Sequence, residues 1–332
     1  MVRIIEGNTI DPEAWAELVK RSPVATWFQT REAYTFFASL TFLKTFAYAI
    51  EVDGQLKGLV SGYLQQDGGK LKMFFSRRAI IIGGPLLSED IEEEAIRALL
   101  QSVKQALGDK VIYIETRNFN DYSRWQTTFK NYGFNYEPHL NFHVNTESLE
   151  MAQSHIGKHR WRYIRVSLRD GAKMVDHPNQ NQLIEFYSVL QYLYRTKVKT
   201  PLFPYEFFAK LLELENAHFF LVEYEGKVIG GSVCVALFGR AVYEWFVCGD
   251  ENYQKGIRPT SVATWFGVEY AANHGYPLFD LMGAGKPDEP YGVRDFKAEF
   301  GGKLVEHGRF VYVSKPFLFW IGKLGIKIIK KL

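Results

Sequence analysis

The chain has 332 residues, of which 47% are hydrophobic, and its formal net charge is +3. This apolar content excludes a disordered chain, and the length predicts two domains of ordinary size. The charge is too small to indicate nucleic-acid binding by itself. We expect a cytoplasmic protein, because the N-terminal residues lack the apolar core of a signal peptide and no run approaches the ~20 apolar residues that span a bilayer.

The predicted elements follow one order twice. The first half predicts helices near 11–20 and 30–39, strands near 45–51, 56–65 and 73–82, a helix near 88–107, a strand at 110–115, a helix near 121–132 and strands near 134–144. The second half predicts helices near 158–170, 180–197 and 204–214, strands at 218–224, 227–237 and 240–248, a helix near 259–274, a strand at 277–281, a helix near 292–299 and strands near 302–313. Hairpins followed by alternating strands and helices predict an α/β protein with mixed sheets and helices on both faces.

Two hairpin sequences indicate an internal duplication. Residues 51–58 (EVDGQLKG) and 223–230 (EYEGKVIG) each place an acidic residue and a glycine between apolar strands. An Asp-Gly or Glu-Gly pair is typical of a tight hairpin turn, because the turn requires positive φ. Gly54 and Gly226 are 172 positions apart (226 − 54).

A second pair of sequences repeats at nearly the same spacing. Residues 129–133 (FKNYG) and 297–301 (KAEFG) are 168 positions apart (301 − 133), and both are typical of a helix that ends on glycine. We therefore predict two copies of a unit of about 170 residues. The copies would occupy 1–150 and 151–314, with a separate basic amphipathic helix at 315–332.

The two cysteines, Cys234 and Cys248, both lie in apolar runs. Neither belongs to a CxxC pair or has a histidine at metal-ligand spacing. We therefore predict buried, reduced thiols, with no disulfide framework and no metal site.

Four sequence segments of the second copy resemble known acyltransferases. RPTSVATWFGVEYA at 258–271, GYPLFDLMG at 275–283 and VRDFKAEFGG at 293–302 look like the FemABX family, and KHRWRYIR at 158–165 resembles the opening helix of a broader FemAB-like (BioF2-like) acetyltransferase group. FemABX enzymes transfer amino acids from aminoacyl-tRNA to peptidoglycan precursors and have two tandem GNAT-like domains. The resemblance therefore implies a tandem, duplicated GNAT-like acyltransferase fold.

The resemblance implies an aminoacyl- or acyltransferase that acts on an amine of a cell-envelope precursor. The donor would be aminoacyl-tRNA or acyl-CoA as a co-substrate, with no permanently bound cofactor. The turn at 252–260 (NYQKGIRPT) lacks the second glycine of the usual phosphate-binding turn, which disfavours CoA. An acyl-CoA-dependent N-acyltransferase and a non-catalytic binding protein of the same fold are the alternatives.

Acyl transfer to an amine requires a neutral amine, a stabilised carbonyl oxygen and attack geometry. No Gly-x-Ser-x-Gly elbow is present, so direct attack is favoured over a covalent intermediate. Lys297 is the leading catalytic residue, since the resemblance implies that it stabilises the transition state. Asp280, at a strand end, would be a base or a loop cap. Glu244, in an apolar strand, would orient or deprotonate the amine, or face solvent.

Five further residues are predicted to bind substrate. The resemblance implies a substrate-contacting tyrosine at Tyr243, beside Trp245, and an arginine at Arg195 that holds a substrate phosphate. Cations at a helix C-terminus are also favourable for dipole reasons alone, which is the alternative for Arg195. Arg294 opens the short helix of Lys297. Arg162 belongs to a basic helix that would guide tRNA, CoA or lipid phosphates, or would be an ordinary solvated face.

The C-terminal sequence is basic and amphipathic. On a helix, the lysines share one face and the apolar residues the other; the lysines are Lys323, Lys327, Lys330 and Lys331, and the apolar residues are Phe317, Leu318, Ile321, Leu324, Ile328, Ile329 and Leu332. With Trp320, this pattern predicts a helix on the inner membrane surface, and a lipid-linked precursor as the acceptor. The alternative is a helix docked on its own domain.

Overall fold

The computed structural model describes residues 2–65 and 76–329, and the side chains up to residue 323 within the C-terminal helix. The predicted start of the strand at 73–82 and the lysines after Lys323 lie outside the described residues and side chains. The chain forms two compact units. Met1–His139 and Glu306–Leu332 form the first unit, and Leu140–Val305 forms the second.

The predicted helices and strands occur in the predicted order, and four further short elements, at 2–6, 86–87, 149–155 and 173–175, were not predicted. Up to residue 139 they are β1 (Val2–Glu6), α1 (Pro12–Arg21), α2 (Arg31–Ser39), β2 (Lys44–Val52), β3 (Gln55–Gln65), β4 (Arg78–Gly83), β5 (Leu86–Leu87), α3 (Glu93–Leu107), β6 (Tyr113–Asn118), α4 (Gln126–Asn131) and β7 (Asn135–Glu137). From residue 140 onward they are β8 (Leu140–Asn145), α5 (Leu149–His155), α6 (Lys158–Arg169), β9 (Lys173–Val175), α7 (Gln180–Leu193), α8 (Tyr205–Leu211), β10 (Ala217–Tyr224), β11 (Lys227–Leu237), β12 (Ala241–Gly249), α9 (Pro259–Asn273), β13 (Leu278–Gly283), α10 (Gly292–Ala298), β14 (Lys303–Glu306), β15 (Arg309–Val313) and α11 (Pro316–Ile329).

Each unit is built on one mixed sheet. The first sheet has the order β1-β2-β3-β4-β6-β15-β7, with β5 paired to β3, and the second has the order β14-β8-β13-β12-β11-β10-β9. Each sheet combines antiparallel hairpins with a central parallel pair, which is β4 with β6 in the first sheet and β12 with β13 in the second. The prediction of a mixed α/β sheet is confirmed.

The two hairpins that indicated a duplication have the same geometry. Asp53 and Gly54 have φ of 49° and 81°, and Glu225 and Gly226 have φ of 51° and 78°. Two consecutive positive φ angles are what a two-residue hairpin turn requires. Both hairpins also carry a β-bulge at the same distance before the turn, at Ile50/Glu51 and Val222/Glu223. The structural repeat therefore has the 172-residue spacing that the sequence predicted.

Helix α9 is the central helix of the second unit. Its residues are apolar nearly all round, as expected of a helix with no solvent face, and it packs against β11, β12 and α6. Among its residues, Thr264 and Gly267 are buried. A Cβ at Gly267 would lie 2.7 Å from the Phe279 ring, so glycine here allows the helix to lie close to β13.

The compact units differ from the predicted domain boundaries of 1–150 and 151–314. Strand β8 pairs with β13 in the second sheet, and β15 pairs with β6 and β7 in the first sheet. The polar segment after residue 145 therefore lies within the second unit. A hydrophobic pattern predicts that a strand exists but does not specify the sheet that it joins, and this is why the sequence placed both strands in the wrong unit.

Gln29 links the α1–α2 side of the first unit to the end of β4, and it is 1% exposed. Its Nε2 donates to the carbonyls of Gly83 and Gly84, at 3.0 and 2.8 Å, and its Oε1 accepts from the Thr26 N–H at 2.7 Å. A shape-matched apolar side chain at this position would leave the Gly84 carbonyl and the Thr26 N–H unpaired in the core, whereas the Gly83 carbonyl would keep its hydrogen bond from the Tyr122 hydroxyl.

We predict that Gln29→Met lowers the free energy of unfolding by about 1–3 kcal/mol, the usual range for buried hydrogen-bonding groups left without a partner. Urea unfolding monitored by circular dichroism measures the change. Gln101→Met, on an exposed residue of α3, is the matched control and should change stability by less than about 0.5 kcal/mol. Equal effects of the two variants would contradict the structural role of Gln29.

Candidate active site

The central parallel strands of the second unit separate after a short ladder. Strands β12 and β13 pair at Val242–Phe279 and at Tyr243–Asp280. The equivalent pair in the first unit, β4 with β6, is continuous over six residue pairs, from Arg78–Tyr113 to Gly83–Asn118. The second unit therefore has an opening between two central strands that the first unit lacks.

Both strands are irregular where the opening begins. In the β11–β12 ladder Cys234 faces Glu244 and Val233 faces Phe246, so Trp245 is the extra residue of a bulge. In the β8–β13 ladder His143 faces Asp280 and Asn141 faces Gly283, so β13 has one residue more than β8 there. Bulges re-aim side chains and interrupt pairing, which is why they frequently lie beside functional sites.

Asp280 stabilises the irregular end of β13. The side chain is fully buried, and its Oδ1 accepts a hydrogen bond from the Met282 N–H at 2.6 Å. Met282 has a φ of +56°, a left-handed conformation that is uncommon for a residue other than glycine. Asp280 therefore holds a local turn, and its predicted role as a base stays a prediction. Its Oδ2 lies 3.3 Å from Nε2 of His143.

Lys297 forms hydrogen bonds to the backbone at the end of β13. Its side chain is 7% exposed, and Nζ donates to the Leu281 carbonyl at 2.5 Å and to the Gly283 carbonyl at 2.8 Å. An ammonium group has three hydrogens, so one remains for a further acceptor. Burial lowers the pKa of this amine, while Glu244 and Asp280 act in the opposite direction.

Glu244 is a buried carboxyl group beside this lysine. The side chain is 4% exposed, and neither carboxyl oxygen has a hydrogen-bond partner among the described residues. Burial raises its pKa to about 7, and the charge of Lys297 limits the rise; the Thr264 hydroxyl lies nearby but forms no hydrogen bond of ordinary geometry with it. A buried carboxyl group without partners is costly to stability, so it requires a functional explanation.

The structure therefore brings Lys297, Glu244 and Asp280 close enough to shift the pKa of Lys297 jointly. Tyr243 adjoins them, because it is the cross-strand neighbour of Asp280. Burial, together with Asp280, raises the pKa of Tyr243 well above its usual range, so this phenol stays protonated. One cation, two carboxyl groups and a phenol thus lie around the opening, which suits proton transfer and oxyanion stabilisation.

Two residues of β8 belong to this site, and sequence reasoning missed them. His143 lies beside Asp280, and Asn141 is 3% exposed with no hydrogen-bond partner for its Nδ2 among the described residues. Both lie in a strand that the sequence assigned to the first domain. A histidine and an asparagine inside the apolar run 140–144 were the available signal, since polar side chains in a buried strand usually have a specific role.

Trp245 and Arg294, which are also predicted to bind substrate, contact an aromatic ring and loop carbonyls respectively. Trp245 packs edge-on against Phe207, with ring centroids 5.0 Å apart. The guanidinium of Arg294 donates to three carbonyls of the preceding loop, those of Ala284, Lys286 and Pro287.

Arg162 and Arg195 are exposed. Arg162 is on α6, and Arg195 is in a π-helical turn, Tyr194–Val198, with its guanidinium 6.0 Å from the Tyr192 ring. Neither contacts the buried cluster within the described part of the chain, and their predicted contacts with substrate stay predictions.

The N-terminus of α9 is occupied by a carboxylate of the chain itself. The Thr260 N–H donates to Glu251 Oε1 at 3.2 Å, and Arg258 Nη1 lies 3.7 Å from Glu251 Oε2. A helix N-terminus is a favourable position for an anion, because its N–H groups and dipole both point toward it. Here Glu251 takes the place that a ligand phosphate would otherwise occupy.

Within the described residues, no group of three His, Cys, Asp or Glu side chains is arranged to hold a metal ion. Cys234 and Cys248 are buried thiols. No helix in the described ranges is both long enough and apolar enough to cross a bilayer.

The raised pKa of Glu244 predicts a pH-dependent stability. Its pKa is about 7 in the folded chain and 4.5 ordinarily, so the folded state holds this proton more tightly. Stability should therefore fall as pH rises from about 4.5 to about 7, and stay level above that.

We predict that Glu244→Gln is more stable than the parent at pH 8, and that its advantage grows by about 2 kcal/mol between pH 5 and pH 8. Urea unfolding at the two pH values measures this difference. Glu215→Gln, on an exposed residue, is the control and should show no comparable change. An advantage that does not vary with pH would show that the carboxyl group is not held protonated by burial.

Comparison with known proteins agrees with this architecture. Residues 158–297 match the family described as Acetyltransferase (GNAT) domain. No curated protein sequence matches the chain.

Among solved structures, FemX has a TM-score of 0.73 and 15% identity, with 96% of this chain and 99% of that chain covered. A tandem GNAT protein from the clavulanic acid biosynthesis pathway has a TM-score of 0.60 and 10% identity, with coverage of 95% and 99%. L-PGS from Bacillus licheniformis has a TM-score of 0.57 and 15% identity, with coverage of 98% of each chain.

The prediction of tandem GNAT-like domains, made from the FemABX resemblance, is confirmed by these matches. The family match also supports the prediction of an acyltransferase. The matched residues run from the start of α6 to Lys297 and include Glu244 and Asp280. The chain is an acyltransferase with a tandem GNAT-type fold, similar to that of FemX, and its second unit carries the acetyltransferase (GNAT) domain.

Proposed function

We propose that the chain is an aminoacyltransferase that joins an amino-acid acyl group to an amine of a cell-envelope precursor, with aminoacyl-tRNA as the donor. The observation that carries this proposal is the convergence of Lys297, Glu244 and Asp280 at the opening between β12 and β13. The resemblance of the second-copy segments to FemABX supports an aminoacyl donor and an envelope acceptor, and the fold is similar to those of FemX and L-PGS.

The proposed reaction is a direct attack of the acceptor amine on the ester carbonyl of the donor. A C–N bond forms, the ester C–O bond breaks, and negative charge develops on the carbonyl oxygen. The third N–H of Lys297 would stabilise that oxygen, since its other two hydrogens are held by backbone carbonyls. Glu244 would take the proton that the amine loses and return it to the leaving oxygen of the donor.

The properties of Glu244 suit this role. A base works best when its pKa is near the working pH, and burial raises the pKa of Glu244 to about 7. Its oxygens are not engaged by other described groups, so they are available to a substrate. A non-catalytic binding protein would have no need for this buried pair, whose cost is explained by acyl transfer.

The N-terminus of α9 supports aminoacyl-tRNA over acyl-CoA. Glu251 accepts from the Thr260 N–H, so a CoA pyrophosphate at this helix end would have to displace a carboxylate of like charge. The exposed side chains of Lys158, Arg162 and Arg165 on α6 are better suited to a nucleic-acid backbone. Acyl-CoA remains the second candidate donor, favoured by the match of residues 158–297 to a GNAT acetyltransferase domain.

The donor assay compares charged tRNA with acetyl-CoA, each supplied with an envelope-precursor amine, and quantifies product by mass spectrometry. We expect turnover with charged tRNA, and a loss of about 100-fold or more in kcat for Lys297→Met, as is usual when an oxyanion donor is removed. Lys303→Met, on the exposed part of β14, is the matched control and should retain full activity.

Turnover with acetyl-CoA but not with charged tRNA would contradict aminoacyl-tRNA as the donor and would support acyl-CoA, the second candidate. Unchanged kcat in a folded Lys297→Met variant would contradict the proposed chemistry for either donor.

We also propose that α11 places the chain on a membrane surface that carries its acceptor. One face of the helix is docked on the first unit, where the Phe319 ring lies 5.2 Å from the Tyr113 ring and Lys323 Nζ lies 3.5 Å from Glu137 Oε1. Phe317 and Trp320 are 71% and 60% exposed. Exposed aromatic residues next to lysines are typical of a helix in the membrane interface.

We predict that the full chain co-sediments with vesicles of anionic phospholipid and that deleting 315–332 abolishes this binding. Phe317→Ser with Trp320→Ser should weaken binding while leaving the docked residues Phe319 and Lys323 in place. Phe238→Ser, which changes a 78% exposed aromatic residue of the second unit, is the control and should bind as the parent does. Failure of the full chain to co-sediment would contradict the membrane proposal.

A further inference from the structure

Helix α10, which carries Lys297, has only seven residues, Gly292–Ala298. A helix of two turns is not stable by itself in water, so its position depends on contacts with the rest of the unit. At its N-terminal end, the guanidinium of Arg294 donates to carbonyls of the loop that follows β13. The contacts at its C-terminal end complete the support of the Lys297 backbone.

The segment between α5 and α6 contacts the C-terminal end of α10. The Gly157 N–H donates to the Glu299 carbonyl at 2.8 Å. The backbones lie so close that a Cβ at Gly157 would be 3.2 Å from that carbonyl oxygen, and a Cβ at Gly301 would overlap the His155 carbonyl. Gly301 also has a φ of +75°, which glycine adopts without strain. Glycine at both positions therefore allows α6 to begin directly against the end of α10.

Arg160, in the first turn of α6, joins the end of α10 to the central helix α9. Its side chain is 11% exposed. Its Nη1 donates to the Ser261 hydroxyl at 2.5 Å, and its Nη2 lies 3.2 Å from Glu299 Oε2. Ser261 is buried in α9, and Glu299 is the residue that follows α10. The two terminal nitrogens of one planar guanidinium thus connect the two helices.

The same guanidinium packs against aromatic rings at α10. It lies 4.3 Å from the centroid of the Phe296 ring and 5.6 Å from that of the Phe300 ring. Phe296, Glu299 and Phe300 have the i, i+3, i+4 spacing of one helix face. Lys297 is about 100° further round the helix than Phe296, and its side chain reaches the carbonyls of β13. Arg160 therefore fixes one face of α10 while Lys297 extends from another.

The basic sequence at the start of α6 divides between two faces of the helix. Arg160 has the spacing of the buried Ile164 and Ser167, at i+4 and i+7, whereas Arg162 and Arg165 are exposed. An arginine that faces α9 and α10 is not available to a ligand on the exposed face. Its presence in this basic sequence therefore requires a separate explanation.

We propose that Arg160 is a positioning residue for acyl transfer, which holds α10 against α9 and so aims the ammonium group of Lys297 at the reacting carbonyl oxygen. The role rests on the proposed function, in which the third N–H of Lys297 stabilises that oxygen. The other two hydrogens are held by the Leu281 and Gly283 carbonyls, so a shift of the helix would also redirect the third. A misplacement of about 1 Å is enough to lower a rate about 100-fold.

The test is a double-mutant cycle on kcat, with charged tRNA and acetyl-CoA each supplied as donor to the full chain. We expect Arg160→Met to lower kcat about tenfold or more and to leave KM within about twofold of the parent, because a transition-state interaction is weakened and substrate binding is not. In the Lys297→Met background, the same substitution should change kcat by less than about twofold, because the group that it positions is gone. A general loss of stability would lower kcat equally in both backgrounds.

Two further variants separate positioning from a folding defect. Arg160→Lys keeps the charge without the planar fork that reaches both Ser261 and Glu299, and it should give an intermediate kcat. If Arg160→Met does not fold, Arg160→Lys takes its place in the cycle. Arg169→Met, on an exposed arginine of α6 that is paired with Asp170, is the matched control and should keep the kcat of the parent.

The outcomes for the positioning role differ from those for the proposed function. Unchanged kcat in Lys297→Met would contradict the proposed function itself. If Lys297→Met loses activity, unchanged kcat in Arg160→Met would overturn only the positioning role. Equal losses from the Arg160 substitution in the two backgrounds would overturn it as well.

Discussion

The separation of β12 from β13 after Tyr243 and Asp280 is the constraint on which the candidate site depends. Parallel strands that remain paired form hydrogen bonds between their backbone N–H and carbonyl groups, as β4 and β6 do in the first unit. In the second unit the separated end of β13 is instead stabilised by side chains. Asp280 accepts the Met282 N–H, and Lys297 donates to two carbonyls. The residues that repair the interrupted strand are thus the residues proposed for acyl transfer.

These two roles, stabilising the end of β13 and acting in acyl transfer, explain why several polar side chains are buried together at the opening. Lys297, Glu244 and Asp280 would each be costly to bury alone, and together they offset part of one another's charge. The balance stays incomplete, because the oxygens of Glu244 have no hydrogen-bond partner among the described residues. Functional sites commonly retain such local instability, and the surrounding apolar core compensates for it. The duplicated fold can tolerate the cost in one unit while the other keeps a continuous sheet.

The sequence predicted what depends on local patterns. The turns at Gly54 and Gly226 and the order of elements follow from neighbouring residues, and the catalytic role of Lys297, inferred from a family motif, stays a prediction. The exchange of β8 and β15 between the predicted domains depends on long-range pairing, so neither the unit boundaries nor the place of His143 could be read from the chain. The same limit hid the ion pairs of Glu115 with Arg117 and Arg309, since the strands of these two arginines are adjacent in space but the residues are 192 positions apart (309 − 117) in sequence.

The most direct test of the central claim is a crystal structure with a hydrolysis-resistant aminoacyl-RNA analogue, in which an amide replaces the reactive ester. The account predicts that the carbonyl oxygen of the analogue lies within hydrogen-bond distance of Lys297 Nζ, in the opening between β12 and β13. It also predicts that Glu244 lies on the side from which the amine attacks. An analogue bound in the first unit, or with its carbonyl away from this lysine, would contradict the claim that the opening is the reaction site.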